Sequence, residues 1–148
     1  MSVKPPMRMR EKVLLRVASQ VFIPLILLFG LYVQFHGDFG PGGGFQAGVI
    51  FAAGFVLFGL IFGLEALQRV VPWSVVESCV ALGLLIYGGV GVSCLLRGGQ
   101  FLDYGVLDHH SSMHGQHLGI LIIELGVGLT VAATMLAIFY AMAGRGRT

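Results

Sequence analysis

The stretch His36-Gly-Asp-Phe-Gly-Pro-Gly-Gly-Gly-Phe45, followed by Gln46-Ala-Gly48, sets five glycines and a proline between two long apolar segments. A reversal between helices needs only a pair of Gly, Asn or Pro residues. This run holds more than a turn uses. Glycine permits positive φ and close backbone approach, so the plainest reading is a tight, crowded reversal between two helices that both end at one boundary.

The flanks say what that boundary is. The chain of 148 residues is 56% hydrophobic and 11% charged, with a mean hydropathy of +0.88, and its apolar residues fall in blocks. That excludes an ordinary soluble domain and points to an integral membrane protein. Four segments, 13–35, 45–64, 75–96 and 118–142, are long enough to cross about 30 Å of hydrocarbon as helix. The expected fold is therefore an all-α membrane protein with four transmembrane helices in a single domain over 1–148. The first segment is too long for a secretory signal and lacks a small-x-small cleavage site after it.

Loop charges set the orientation. Lys4, Arg8, Arg10, Lys12 and Arg16 precede or open the first span, Arg69 lies in the second loop, and Arg145 and Arg147 are in the tail. The first loop has no cation and the third has only Arg97. The positive-inside rule then predicts both termini on the cytoplasmic side. Loops 36–44 and 97–117 would face outward. The net charge of +2 is largely this topology signal, and no basic patch suggests nucleic acid as a partner.

Several residues interrupt the apolar spans. Pro24 removes a helical hydrogen bond within the first span and is expected to bend it. Gly44, Gly48 and Ala52, then Gly59 and Gly63, form a small-residue stripe along the second, of the kind that lets helices in lipid pack closely. Cys79 and Cys94 share the third span about four turns apart, too far to pair with each other, and read as small buried residues.

Glu124 stands about two turns into the fourth predicted span, among Ile122, Ile123, Leu125 and Val127. A carboxylate there costs several kcal/mol, roughly, unless it is partnered or protonated. It must face protein or water. Gly128 and Ala132 follow on the same helical stripe, and His117 precedes it nearly in line. Two readings stay open: a carboxylate that handles protons or cations, and a hydrogen-bonded anchor between helices. Glu77, one turn into the third span, admits proton or cation handling too, but its place near a helix N-terminus also suits simple dipole complementation. Glu65 and Arg69 are spaced as a boundary ion pair.

Asp108, His109, His110, His114 and His117 crowd the third loop. Imidazole suits zinc and copper, but no spacing here matches a closed metal motif, so the expectation is no metal site and a histidine-rich surface that titrates near neutral pH. No P-loop ending, no Gly-x-Ser-x-Gly elbow and no His-Glu-x-x-His occur, and nothing argues for an enzyme or a bound cofactor.

The ordered set His36, Gly37, Pro41, Gly42, Gly43, Gly44, Phe45, Gln46 and Gly48, then Phe101-Leu102-Asp103, then Glu124-Leu-Gly126-Val, resembles the MnhB domain, the MnhB-type subunit of the multisubunit Mrp-type (Mnh, Pha) cation/proton antiporters. The resemblance covers about 16–144. It implies an accessory subunit of a bacterial plasma-membrane assembly that exchanges Na⁺ (or K⁺) for H⁺. The implied neighbours are large A and D subunits, which resemble the proton-pumping subunits of respiratory complex I, and the smaller C, E, F and G subunits. The alternative it leaves is a scaffold subunit, transporting nothing, of a related energy-converting hydrogenase. On this reading the run from His36 and Asp38 through Pro41 to Phe45 is a helix entry with backbone groups left free beside a hydrated cation path, since irregular backbone is tolerated at depth where it lines a cavity.

Overall fold

In a bilayer, backbone and hydroxyl groups have no water to bond, so each span must satisfy its own polar groups. The computed structural model, which describes residues 13–37, 40–108 and 112–145, does this with helices. In order they are α1 (Val13–Phe35), α2 (Gly44–Phe62), the short α3 (Leu64–Val70), α4 (Trp73–Leu96) and α5 (Ser112–Gly144), with a 3-10 turn at Tyr104–Leu107. No strand occurs among the described residues. The four long helices are apolar and long enough to cross a membrane. Their hydroxyls fold back onto the preceding turn: Ser19 donates to Leu15 O, Ser78 to Ser74 O, Ser93 to Gly89 O and Thr130 to Gly126 O, at 2.7 to 2.9 Å. Such back-bonding gives a hydroxyl in an apolar span a partner within its own helix.

α5 is the centre of the bundle. It packs on α4 along one side and on α2 along the other, and α1 lies beyond α2. Missing side chains make these approaches possible. A Cβ on Gly83 of α4 would lie 2.6 Å from the carbonyl oxygen of Gly126 in α5, and one on Gly48 of α2 would lie 2.6 Å from that of Gly128. Gly59 accommodates Leu67 and Phe139, and Ala52 is buried. Gly30 of α1 meets Phe51 and Ile50, and Gly54 meets Leu27 on the opposite face of α2. The apolar remainder points outward: Leu14, Phe22, Leu28, Leu84, Leu85 and Leu96 are among the many large hydrophobic residues left exposed. A surface of that composition is stable only in lipid or against other membrane helices.

The end opposite the glycine run is closed by a core of Leu67, Val76, Ala133, Leu136 and Tyr140. The Tyr140 hydroxyl donates to the carbonyl of Val71 at 2.7 Å, which satisfies the end of α3, and its ring lies 6.0 Å from that of Trp73. The Arg16 guanidinium sits over the Phe62 ring at 5.5 Å. Arginine and aromatic side chains at one level are what a membrane–water boundary selects.

Two expectations are corrected. α5 starts at Ser112, well before 118, so His114 and His117 are helical and not part of a loop. Hydropathy marks where a helix meets lipid, and here a polar extension continues beyond that point. α2 stops at Phe62, because Gly63 takes φ 102° and ψ 153°, a conformation essentially confined to glycine. Gly63 is thus a chain break between α2 and α3. Nothing lies within 4 Å of where its Cβ would be, so it does not belong to the packing stripe. α1 continues through Pro24 to Phe35 as one helix.

Candidate functional site

The glycine run and Glu124, far apart in the chain, meet at one place. α1 ends at Phe35 and α2 begins at Gly44, and Gly42 and Gly43 lie back against the end of α1. The Val33 carbonyl, left over at the end of a helix, accepts from the His36 amide at 3.3 Å and from the Gly43 amide at 3.2 Å. Gly42 passes so close that a Cβ there would lie 2.8 Å from the same carbonyl oxygen. Gly43 then takes φ 120° and ψ 178°, which again only glycine adopts readily, and its carbonyl accepts from Ala47 to start α2.

Beneath this fold lies the Glu124 carboxylate. A Cβ on Gly37 would stand 2.6 and 2.7 Å from its two oxygens, and one on Gly43 would stand 2.9 Å from Oε1. Gly44 abuts the backbone of Glu124 itself, leaving no space for any side chain. Each of these glycines makes room for the acid or for the helix that carries it. Glu124 is half-buried and level with the first residue of α2, about 24 Å along α5 from Tyr140. In a hydrocarbon layer of about 30 Å, that places it near the edge on the glycine side.

Other members of the run face elsewhere. Pro41 and Phe45 are exposed, Phe45 by 60%, so the proline and the aromatic ring present an outer surface while the glycines face Glu124. His36 stacks on Tyr32, with centroids 5.0 Å apart, and Gly40 crosses near its Nε2. Asp38 lies outside the described residues, as do His109 and His110. His117 is exposed and lines a groove of about 610 Å³ with Asp108, His114 and Leu121. His114 Nδ1 lies 4.0 Å from Asp108 Oδ2. Among the described residues, no group of three or more His, Cys, Asp or Glu is placed to hold a metal ion. Glu77 is exposed near the other end of the bundle, where its Oε1 accepts from the Trp73 indole at 2.6 Å. The structure does not bring it to Glu124.

One residue at the site is not evident from the sequence pattern. Gln34, on α1, is 6% exposed and lies three positions before Gly37. Its Oε1 abuts Gly128, where a Cβ would come within 2.7 Å, and the Gly44 carbonyl lies 3.1 Å from that same point. A signal does exist: an amide inside an apolar span is costly unless it has a purpose. Its position at the end of the span makes it look like a boundary residue. The amide also stands at the edge of an apolar groove of about 500 Å³ that runs across α5 between α1 and α4, past Phe51, Leu129 and Leu136.

The site is thus a carboxylate lined by glycine backbone near one end of a chain with four helices long and apolar enough to cross a membrane. Comparison with known proteins gives this a context. Residues 14–137 match the family model described as a domain related to the MnhB subunit of Na⁺/H⁺ antiporters. The chain is 31% identical over 134 residues to the putative antiporter subunit mnhB2 of Staphylococcus haemolyticus, covering 89% of this chain and 94% of that one. It is 30% identical over 132 residues to the B subunit of the Na⁺/H⁺ antiporter of Alkalihalophilus pseudofirmus, covering 83% and 91%. A match that spans all four long helices, the glycine entry and the acid beneath it makes this chain a member of the MnhB family of antiporter subunits.

Proposed function

We propose that this chain is an accessory subunit of a multisubunit monovalent cation/proton antiporter, supporting Na⁺ (or K⁺) efflux driven by proton influx, and that Glu124 is its proton- or cation-handling group. The reading places the protein in a bacterial plasma membrane with both termini cytoplasmic and the glycine entry on the outer side. Its partners are the large A and D subunits together with the C, E, F and G subunits. The support for the assembly is the family to which the chain belongs. The support for a part in transport is the carboxylate held under Gly37 and Gly43.

The carboxylate lies against Gly37 and Gly43, which carry no side chains, and the acid stands near one end of the bundle. Backbone at a hydrated edge can replace part of an ion's water shell, as in the broken helices of transporters. The acid supplies the negative charge.

The test compares Glu124→Gln with Glu124→Ala for exchange in everted vesicles across pH, alongside the yield of assembled complex. Gln keeps shape and most hydrogen bonding but removes titration, so exchange should fall or its pH profile should move with assembly intact. A Gln variant with wild-type exchange at every pH, and an Ala variant that loses the complex, would make Glu124 an anchor.

A further inference from the structure

A cation at the end of the bundle opposite the glycine entry has no part in that reading. Arg16 stands at the start of α1, and its guanidinium lies 5.5 Å from the centroid of the Phe62 ring at the end of α2. Stacking on an aromatic face steadies the planar group and leaves the N–H donors at its edge to meet a ligand. Beside it is a pocket of about 170 Å³ between α1, α2 and α3, lined by Arg16, Phe58, Ile61, Phe62 and Ala66. That is several times the share of one water, about 30 Å³, and enough for a compact anion. Every lining side chain other than Arg16 is apolar.

The level is that of a membrane boundary. α1 begins and α2 ends here, and Trp73 and Tyr140 lie at the same end. Exposed apolar residues follow on both helices, Val17 and Val21 on α1 and Leu60 on α2. A ligand seated at Arg16 therefore has a charged group on one side and a lipid-facing surface on the other.

Charge points the same way. Lys4, Arg8, Arg10 and Lys12 precede Arg16, and Glu11 is the one acid among the first sixteen residues. A cluster of cations directly beside a span is a sequence form of anionic-lipid recognition. Orientation in the membrane accounts for an excess of positive charge but is indifferent to where one guanidinium sits. At Arg16 the guanidinium is placed, over a ring and at a pocket.

We propose that this pocket binds the phosphate of an anionic phospholipid, with Arg16 as the residue that holds it and Phe62 as the residue that positions the guanidinium. The fork of an arginine matches two phosphate oxygens, which a point charge does not. A lipid held here bridges the start of α1 and the end of α2. The inference is independent of Glu124 and requires only that this end of the bundle lies at the membrane boundary.

The test uses the assembled antiporter complex, reconstituted in vesicles of phosphatidylcholine and phosphatidylglycerol and re-extracted in mild detergent. Native mass spectrometry should show phosphatidylglycerol retained in preference. Arg16→Gln should carry one phosphatidylglycerol fewer per complex, its occupancy of the site falling about tenfold as a charge-assisted pair is lost. Arg16→Lys should fall between the two. Four cations remain before α1 in either variant, so orientation is preserved. Phe62→Leu, which removes the ring and keeps the charge, should weaken retention less than Arg16→Gln. Arg69→Gln, at a cation of the same end that does not line the pocket, should match wild type. Unchanged retention in Arg16→Gln overturns the proposal. So does an equal loss in Arg69→Gln, which would mean a diffuse attraction to a charged surface. A map of the wild-type complex should place a lipid phosphate within hydrogen-bond distance of the Arg16 guanidinium. A free phosphate ion there, or an acidic side chain of a neighbouring subunit, overturns the proposal, and the map decides where Arg16→Gln does not assemble.

Discussion

Gly44 and Glu124 touch backbone to backbone: a Cβ on Gly44 would fall against the carbonyl of Glu124 and only 3.0 Å from its Cα. The first residue of α2 is thus keyed to the residue of α5 that carries the acid, and the position of the carboxylate is set by helix packing as well as by its own rotamer.

Two glycines at this site should therefore respond differently. In Gly37→Ala the methyl meets the carboxylate oxygens, the far end of a flexible side chain that can swing aside. The expected stability cost is about 1 kcal/mol, at the low end for overpacking. The complex should assemble while exchange falls by up to about a hundredfold, as expected when a reacting group is displaced by about an ångström. In Gly44→Ala the methyl meets backbone, which cannot move without separating α2 from α5. Loss of assembled complex on native gels is the expected result.

Gly48→Leu tests the same seam one turn deeper. A Cβ there would already lie 2.6 Å from the Gly128 carbonyl oxygen and 2.9 Å from Val131 Cβ. A whole leucine should exceed the cost of ordinary overpacking, about 1–3 kcal/mol. Subunits should be lost from the purified complex. Normal yield and transport would mean that α2 and α5 do not pack here in the membrane.

Gly43 and Gly63 share a backbone conformation but differ in surroundings, which allows strain and crowding to be separated. Alanine at either position is strained by about 1–3 kcal/mol. At Gly63 nothing else is nearby, whereas at Gly43 the methyl also meets Glu124 Oε1 at 2.9 Å. Gly63→Ala should lower the thermal midpoint of the complex with exchange per assembled complex unchanged. Gly43→Ala should lower both. Equal exchange in the two assembled variants would show that Gly43 serves the turn alone.

Much of this is legible in the sequence because apolar blocks and glycine spacing are local signals. The four spans, the crowded run 36–45 and the cost of an acid at Glu124 can each be read from neighbouring residues. What connects them is not local. Nothing near Glu124 in the chain says that it lies under Gly37 and Gly43, because that meeting depends on α1, α2 and α5 packing together. Gln34 is hidden for the same reason, since burial at the end of a span is decided by another helix. Gly63 looks like part of a packing stripe because spacing alone cannot distinguish a glycine that admits a neighbour from one that turns the chain. The polar first turns of α5 are masked by their histidines, which read as loop until Gly115 and Gly119 are seen to fit against Tyr104.

Glu77 provides the contrasting case for an acid within a spanning helix. It is exposed, and its oxygen is engaged by the Trp73 indole at 2.6 Å, one turn earlier on α4. That bond, together with a place in the first turns of a helix, accounts for the residue without transport, since a carboxylate near a helix N-terminus contributes roughly 0.3–1 kcal/mol through the dipole. Glu77→Gln keeps an acceptor for the indole while removing the charge. Exchange should remain within about twofold of wild type at every pH, and the thermal midpoint should fall by no more than a few degrees, roughly what a loss below 1 kcal/mol produces. Trp73→Phe, which removes the donor and leaves the charge, should also transport normally. A large loss of exchange in Glu77→Gln with the complex intact would place a second working acid at the opposite end of the bundle from Glu124, and the path would then have to be traced along α4 as well as under the glycine entry.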